Sequence, residues 1–261
     1  MPGNKGVALV TGAAQGIGEA IALRLAEDGF DVAVNDMASS AEKLQGVVDE
    51  IIGKGRSSSK HIADVSKEEE VAKMVEDVVQ HHGGLDVMVA NAGVTGKPAV
   101  PFTEIPCEEF ERVMSINARG TFLCYKHAGI QMIKQGRGGR IIGASSIAGK
   151  KGMLTQGPYC ASKFAVRGLT QAAGKKNPLE FGTHRITVNA YAPGVIDTPI
   201  LRDAAVNGDP SEIIKTMKEM APLKRIGIPE DISNLVSFLA SEESHFITGM
   251  PISINGGIWF D

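Results

Sequence analysis

Short runs of apolar residues alternate with longer segments of helical periodicity from one end of this chain to the other. Strands alternating with helices indicate βαβ units and therefore a parallel sheet. Runs such as Val-Ala-Leu-Val are apolar on both faces, as strands covered by helices on both sides require. The pattern predicts strands at residues 7–11, 31–35, 60–62, 87–90, 140–143, 186–191 and 252–254. It predicts helices at residues 16–27, 41–52, 67–80, 108–134, 159–173 and 230–240.

No linker, repeat or low-complexity segment interrupts this alternation, so residues 1–261 are predicted to form one α/β domain. Charged residues make up 22% of the chain and the net charge is −3. This balance argues against a protein that binds nucleic acid or a membrane surface, because such proteins carry a basic excess or a basic cluster. The pairs Lys150–Lys151 and Lys175–Lys176 are too short to form a basic patch and are predicted to be solvated surface.

The three cysteines, Cys107, Cys124 and Cys160, show neither paired spacing nor a CxxC motif, which argues against disulfides and zinc. The six histidines show no zinc spacing either, so no metal is expected. Reduced thiols favour a cytoplasmic location. The same location is favoured because the sequence shows neither a signal-peptide region nor an apolar run of about 18 residues.

A glycine-rich turn lies between the first predicted strand and the first predicted helix, with glycines at Gly12, Gly16 and Gly18. Glycine is needed where a chain turns tightly and where its backbone approaches a pyrophosphate closely. The helix that follows offers free N–H groups and the positive end of its dipole to the phosphates. The position of the glycine-rich turn after a strand and before a helix favours a dinucleotide site over the alternative, an ordinary tight βα turn.

Asp36 ends the second predicted strand. In a dinucleotide-binding fold, a carboxylate at this position accepts hydrogen bonds from the adenosine ribose hydroxyls and repels a 2′-phosphate. Its sequence neighbours, Asn35 and Met37, provide no positive charge to hold such a phosphate. The sequence therefore favours NAD(H) over NADP(H). The alternative is that Asp36 simply ends a strand, as aspartate often does.

Tyr159 and Lys163 stand four residues apart in a predicted helix and therefore project from one face. Free tyrosine has a pKa near ~10 and is a poor base at neutral pH. A nearby ammonium favours the phenolate, so Lys163 is expected to lower the pKa of Tyr159. The pair could then exchange a proton with an alcohol or a carbonyl. On spacing alone, however, an ordinary Tyr–Lys pair on an amphipathic helix is the more common explanation.

Four motifs occur in one order along almost the whole chain: the glycines at 12, 16 and 18, then Asn91-Ala92-Gly93, then Tyr159-Cys160-Ala161-Ser162-Lys163, then Pro193-Gly194. In these four motifs and in their order, the chain resembles the classical short-chain dehydrogenases/reductases. Residues 162–171, 186–189 and 255–261 further resemble the acetoin/diacetyl reductases, also called 2,3-butanediol dehydrogenases. The family implies a single Rossmann-fold domain with a doubly wound, seven-stranded parallel sheet, and usually a homotetramer.

The resemblance implies a catalytic set of Asn117, Ser146, Tyr159 and Lys163. Tyr159 would be the general acid/base, and Lys163 would assist it and reach the nicotinamide ribose. Ser146 would hold the substrate oxygen, with Ser145 as the competing candidate for that role. Asn117 would bind a water that links Lys163 to solvent, unless it is merely a packed or exposed polar residue.

The resemblance also implies which groups would contact NAD(H): Gly12, Gln15, Gly16, Ile17, Gly18, Asp36, Asp64, Val65, Asn91, Ala92, Gly93, Tyr159, Lys163, Pro193, Gly194, Ile196 and Thr198. Substrate contacts are expected from Ser146, Ile147, Met153 and Tyr159. Because Ile147 and Met153 are apolar, they favour a small ketone such as acetoin over a sugar. Residues 201–220 are predicted to form a lid over the substrate.

The sequence therefore predicts an enzyme that transfers a hydride between NAD(H) and a small secondary alcohol or ketone of the acetoin, diacetyl or 2,3-butanediol type. A polyol or sugar dehydrogenase and a broad carbonyl reductase are the alternatives within enzymes. A further alternative is a non-catalytic module that binds NAD(H) and senses its redox ratio. Such a module has no need of a complete catalytic set.

Overall fold

Seven parallel strands form one sheet within the part of the chain that the computed structural model describes, residues 3–97, 100–175, 181–203, 205 and 208–260. The strands are β1 (Val7–Thr11), β2 (Asp31–Asp36), β3 (Ser58–Ile62), β4 (Val87–Ala90), β5 (Gly139–Ala144), β6 (Ile186–Pro193) and β7 (Pro251–Ile254). Their order across the sheet is β3-β2-β1-β4-β5-β6-β7. Strands β1 and β4 have the predicted bounds, and the others are longer than predicted by one or two residues.

The helices that the structure describes also follow the predicted pattern, with one interruption. They are α1 (Gly16–Asp28), α2 (Ala41–Gly53), α3 (Glu68–His82), α4 (Cys107–Met114), α5 (Gly120–Gln135), α6 (Gly157–Ala173), α7 (Pro199–Asp203), α8 (Ser211–Met220) and α9 (Pro229–Ala240). The single helix predicted at residues 108–134 is wrong in one respect, because a π-helical turn, Ser115–Arg119, separates α4 from α5. Such turns are rare in proteins, and those that do occur are frequently found at functional sites.

Helices cover both faces of the sheet, and alternate strand residues point into two separate cores. Ala8 and Val10 of β1 pack in one core with α1, α2 and α9. Val7 and Leu9 of the same strand pack in the other core with α3 and α5. Successive side chains of a strand point to opposite faces, so each buried strand has to be apolar throughout. The predicted doubly wound α/β fold is confirmed.

The direction of the chain across the sheet reverses at β1. The strands β1, β2 and β3 run outward in one direction, and the chain then crosses to β4, which pairs with β1 on its other side. Ligands of open α/β sheets bind beyond the carboxyl ends of the strands at such a switch point. The ends of β1 and β4 therefore mark the place to look for a cofactor.

Among the described helices, none combines the length and the apolar character needed to span a bilayer. Within the same residues, no three His, Cys, Asp or Glu side chains are grouped as metal ligands. The thiols of Cys107, Cys124 and Cys160 are free, and those of Cys124 and Cys160 are buried.

Candidate active site

The glycine turn between β1 and α1 has no room for a side chain at Gly12 or Gly18. Gly12 has a φ of +63°, in the left-handed region that favours glycine. A Cβ on Gly18 would overlap the carbonyl oxygen of Gly12 and lie 2.6 Å from Nδ2 of Asn91. Gln15, at the start of α1, makes no capping hydrogen bond with its side chain. The N–H of Gly16 donates to the carboxylate of Glu19. The next N–H groups of α1 stay open to an anion, and this cradle fits the pyrophosphate of a dinucleotide.

Asp36 lies beside this turn, at the end of β2. Its carboxylate accepts the N–H of Ala14 at 3.1 Å and the N–H of Met37 at 2.8 Å. Lys43 of α2 donates to the side-chain oxygen of Gln15 at 3.1 Å. The fold thus brings a positive charge to the glycine turn, although none is adjacent to Asp36 in the sequence.

Asn91, directly after β4, ties the end of that strand to the glycine turn. Its side-chain amide donates to the carbonyl oxygens of Thr11 at 2.8 Å and Gly12 at 3.1 Å. Its own side-chain oxygen accepts the hydroxyl of Tyr191 at 2.7 Å. The Thr11 hydroxyl oxygen in turn accepts the N–H groups of Asn91 and Ala92. Thr11 and Tyr191 were not predicted as site residues, and the sequence signal for each is a polar group at the carboxyl end of a predicted strand, 7–11 or 186–191.

Asn117 occupies the π-helical turn and is fully buried. Its side-chain oxygen accepts the N–H of Val94 at 2.9 Å, and its amide donates to the carbonyl oxygen of Val94 at 2.8 Å. The amide also lies 3.0 Å from the hydroxyl oxygen of Ser162, to which it donates. A Cβ on Gly93 would lie 3.2 Å from Oδ1 of Asn117 and 3.3 Å from Nζ of Lys163. Asn117 therefore fixes the chain that follows β4 against the helix of Tyr159 and Lys163.

Tyr159, Lys163 and Ser146 meet at the carboxyl end of β5. Helix α6 presents Tyr159 and Lys163 on one face, with the ammonium nitrogen of Lys163 5.4 Å from the centroid of the Tyr159 ring. That ammonium donates to the carbonyl oxygen of Ala144 at 2.8 Å. The side chain of Ser146 hydrogen-bonds to the Tyr159 hydroxyl. Ser145 is engaged elsewhere, since its hydroxyl donates to the Lys163 carbonyl oxygen at 3.1 Å.

Burial shifts the pKa values of this pair in opposite directions. Desolvation raises the pKa of Tyr159, and the hydrogen bond with Ser146 only partly opposes it. Desolvation also lowers the pKa of Lys163 to about 8, because burial disfavours the ammonium. The expectation that Lys163 lowers the pKa of Tyr159 is therefore wrong for the groups of this chain. The tyrosine hydroxyl holds its proton at neutral pH and is ready to donate it.

A cavity lies beside Tyr159. Its lining comes from residues 95–97, 100, 105–106, 109, 155–156 and 158–159. Of the four residues expected to contact the substrate, Tyr159 is part of this lining, whereas Ser146, Ile147 and Met153 are not. Ile147 is buried, and Met153 is half-buried with its N–H bonded to the sulfur of Cys160 at 3.2 Å. Of these lining residues, Tyr159 alone was predicted as a site residue. The others were missed because none of them belongs to a recognised motif.

Glu109 is a buried carboxylate in this lining. Its Oε1 accepts the backbone N–H of Lys97 at 2.9 Å. Arg112, one turn later in α4, donates to both carboxylate oxygens at 2.9 Å. The ion pair with Arg112 holds the pKa of Glu109 below its usual range. Because of these bonds, Glu109 fixes the loop that forms one wall of the cavity.

The other residues predicted to contact the cofactor lie along the same edge of the sheet. Asp64 and Val65 follow β3, and Val65 is buried against Gly120. Pro193 ends β6, and the N–H of Gly194 donates to the carbonyl oxygen of Ile254 at 3.1 Å. Ile196 is buried. The structure thus places both predicted groups at the carboxyl ends of strands.

Thr198 joins this set to the glycine turn. A Cβ on Gly16 would lie 3.4 Å from Cγ2 of Thr198 and 3.6 Å from Cδ of Pro199. Helices α7 and α8 follow, so the helical pattern of the predicted lid is present. Residues 204, 206 and 207 of that lid lie outside the described residues, and its movement stays a prediction.

The chain matches known proteins over nearly its whole length. The family model described as enoyl-(acyl carrier protein) reductase matches residues 12–259. A short-chain dehydrogenase/reductase from Armillaria gallica is 52% identical over 257 residues, which cover 98% of this chain and 96% of that protein. A 3-oxoacyl-(acyl-carrier-protein) reductase from Staphylococcus epidermidis is 42% identical, with 97% of this chain and 98% of that protein covered.

Solved structures match equally far along the chain. A short-chain type dehydrogenase/reductase from Mycobacterium marinum superposes with a TM-score of 0.89 at 35% identity, covering 98% of this chain and 96% of that one. An acetoin dehydrogenase from Salmonella typhimurium superposes with a TM-score of 0.83 at 33% identity, covering 97% and 96%.

Proposed function

The chain belongs to the short-chain dehydrogenase/reductase family of oxidoreductases that act on CH–OH groups, and we propose that it interconverts a small secondary alcohol and its ketone with NAD(H). Compounds of the acetoin, diacetyl and 2,3-butanediol type are the proposed substrates. The observation that carries the proposal is the meeting of Ser146, Tyr159 and Lys163 beside a cavity at the carboxyl end of the sheet.

A bound nicotinamide dinucleotide supplies or accepts the hydride in this reaction. The open N–H groups at the start of α1 and the glycine turn would hold its pyrophosphate. Asp36 would hold the adenosine ribose, and Lys163 the nicotinamide ribose. The segment from Pro193 to Thr198 would contact the nicotinamide.

Tyr159 moves the proton. In the reduction direction its hydroxyl donates a proton to the carbonyl oxygen as the carbonyl carbon receives the hydride, and Ser146 holds that oxygen in place. The raised pKa of Tyr159 suits this direction, because the group carries a proton at neutral pH. Lys163, with Asn117 behind it, would return a proton to Tyr159 from solvent. In the oxidation direction the same steps run backward.

The choice of NAD(H) rests on Asp36, whose carboxylate would repel a 2′-phosphate. Lys43 beside Gln15 is the group that opposes this choice, since its charge attracts phosphate. Because Asp36 is adjacent to the turn and itself bonds to Ala14, we give its charge the greater weight.

Reduction of a 3-oxoacyl thioester is the second candidate. Its support is the 42% identity to the Staphylococcus epidermidis reductase, which exceeds the 33% identity to the Salmonella typhimurium acetoin dehydrogenase. The two candidates share the roles of Ser146, Tyr159 and Lys163 and differ in the substrate that enters the cavity.

One assay separates these candidates: oxidation of NADH and of NADPH with diacetyl, acetoin, a ketose and a β-ketoacyl thioester. We expect the largest kcat/KM for NADH with diacetyl or acetoin. A preference for NADPH with the thioester would overturn the small-ketone proposal. Equal turnover of acetoin and of the ketose would overturn it as well. The Tyr159→Phe variant should lose turnover and still bind NADH, and surviving turnover would overturn the proposed role of Tyr159.

A homotetramer is proposed on the family resemblance alone, and a cytoplasmic location is proposed on the reduced thiols. Light scattering coupled to size-exclusion chromatography measures the mass in solution, and a monomer at micromolar concentration would contradict the tetramer.

A further inference from the structure

The last residues of the chain form a turn that we call the C-terminal hook, residues 255–260. The side-chain oxygen of Asn255 accepts the N–H of Gly257 at 2.9 Å, and its amide donates to the carbonyl oxygen of Trp259 at 2.8 Å. A Cβ on Gly257 would lie 2.9 Å from Cγ of Pro222, so the hook packs closely on the segment before α9. One side chain therefore holds the hook in a defined shape.

Two consecutive lysines connect this end of the chain to the loop between Ser146 and Tyr159, which we call the catalytic loop, residues 147–156. The ammonium of Lys151 lies 4.4 Å from the centroid of the Trp259 ring. The ammonium of Lys150 donates to the carbonyl oxygen of Pro251 at 2.6 Å and to the hydroxyl of Ser253 at 2.8 Å. The prediction that this lysine pair is merely solvated surface is wrong.

The catalytic loop forms part of the cavity beside Tyr159. Thr155 and Gln156 line that cavity. Thr155 has a φ of +59°, which is unusual and strained for a β-branched residue, so the loop must be held in place by other contacts. The contact between Lys151 and Trp259 lies in the same loop, four residues before Thr155.

We propose that Lys151 and Trp259 are positioning residues, which hold the catalytic loop against the substrate cavity and so determine how well the carbonyl substrate binds. The inference rests on the proposed function, because it assigns the cavity to that substrate. Neither residue touches the glycine turn or the catalytic side chains in the contacts that the structure shows. Their loss should therefore raise the KM of the ketone and leave the KM of NADH and the kcat nearly unchanged.

The test compares Trp259→Ala, Lys151→Ala and the double variant, using diacetyl or whichever carbonyl compound the protein reduces fastest. A cation–π contact at a partly exposed site corresponds to about a two- to fivefold change. Each single variant should raise the ketone KM by about that factor, and the double variant should be no worse than either one. Trp259→Phe should stay close to the wild type, since it keeps an aromatic face over Lys151. Phe260→Ala is the matched control, because Phe260 is the exposed neighbour of Trp259.

Three outcomes would overturn the proposal: an unchanged ketone KM, an equal rise in the KM of NADH, or additive effects in the double variant. A further measurement does not depend on turnover. Trp259 is the only tryptophan of the chain, so the emission of the protein reports on its surroundings. Lys151→Ala should shift or brighten that emission, whereas Phe260→Ala should not. An unchanged emission in Lys151→Ala would overturn the contact between Lys151 and Trp259, whether or not any ketone is reduced. Failure to reduce every tested ketone would instead overturn the proposed function.

Discussion

The two sides of the site are built in different ways. The cofactor side, which consists of the glycine turn and the ends of β1, β2 and β4, is held by close backbone contacts such as that of Gly18 with Gly12. The substrate side, which consists of residues 94–97 and the catalytic loop, is held by side chains that reach across the fold. Glu109 bonds to Lys97, and Lys151 contacts Trp259. A short motif can specify the first kind of construction, whereas the second depends on the completed tertiary structure.

Replacing Gly18 with alanine should break the cofactor side. The new Cβ would overlap the Gly12 carbonyl oxygen, so the turn must move. Overpacking of this kind costs about 1–3 kcal/mol, and a displacement of about 1 Å at a site can cost ~10²-fold in rate. We expect kcat/KM for NADH to fall by about 100-fold, measured by steady-state kinetics, and the Tm to fall.

Gly46→Ala is the control for that variant. Gly46 lies within α2, where a Cβ would meet nothing within 4 Å. Alanine in a helix interior is favoured over glycine by about 0.8–1 kcal/mol, so this variant should be slightly more stable and equally active. Loss of NADH binding in both variants would mean that the tight contact at Gly18 is not the cause.

Asn117→Ala should damage the place where the two sides meet. The variant leaves the N–H and the carbonyl oxygen of Val94 without their partners. Each of these groups that stays buried lowers the free energy of unfolding by about 1–3 kcal/mol. We expect turnover to fall at least about tenfold and the Tm to fall by several degrees, measured by calorimetry. Gln45→Ala removes a side-chain amide from the exposed face of α2 and should change neither. An Asn117→Ala protein with an unchanged Tm would contradict the role of Asn117 in holding Val94.

The cofactor side was also the part that the sequence predicted best. The positions of Gly12, Gly16, Gly18 and Asp36 follow from a turn between a strand and a helix, because those constraints act within a few residues. The π-helical turn at Asn117 was not predicted, since it depends on a contact with Val94 that lies far away in the sequence. Glu109 was missed for the same reason.

The contact of Lys151 with Trp259 shows this limit most clearly. The two residues are separated by more than a hundred positions. Trp259 lies in the stretch 255–261 that resembles the acetoin/diacetyl reductases, but nothing in that stretch indicates Lys151 as its partner. Tyr159 lies beside Ser146 as predicted, but its pKa is shifted in the direction opposite to the predicted one. Spacing along a helix identifies which charges are near, whereas desolvation depends on everything that packs around them.

Glu109→Ala should affect the substrate side alone. Without the carboxylate, the N–H of Lys97 loses its acceptor and one wall of the cavity loses its anchor. We expect the KM of the ketone to rise about tenfold, the lower end of what the loss of one charge-assisted hydrogen bond of about 1.5–3 kcal/mol implies, with the KM of NADH unchanged. Glu109→Gln keeps an acceptor, so its KM for the ketone should lie between those of the wild type and Glu109→Ala. Glu108→Ala, the exposed neighbour, is the control, and an equal rise in the KM of NADH would contradict the separation of the two sides.

The smallest effect is expected at His82, at the outer edge of the sheet beyond the cofactor side. Its Nε2 lies 2.8 Å from the Ser59 hydroxyl oxygen, which also lies 2.8 Å from Nε2 of His61. Burial, followed by repulsion from His81, lowers the pKa of His82 to about 4, although Asp31 opposes the shift. Above about pH 6.5 the group is neutral in the folded and the unfolded chain, so it does not affect stability there.

As the pH falls from about 6.5 toward 4, the unfolded chain binds this proton first, so the free energy of unfolding decreases. Because His82 is only half-buried, solvent screening reduces the effect to about 1 kcal/mol, or about 2–4 °C in Tm. His82→Gln should lose less Tm between pH 7 and pH 5 than the wild type, whereas His245→Gln, at an exposed histidine, should match the wild type. The kcat of His82→Gln should be unchanged, because the edge of the sheet supports the fold and not the reaction. A fall in kcat without a change in the pH dependence of Tm would reverse that assignment and extend the functional site to β3.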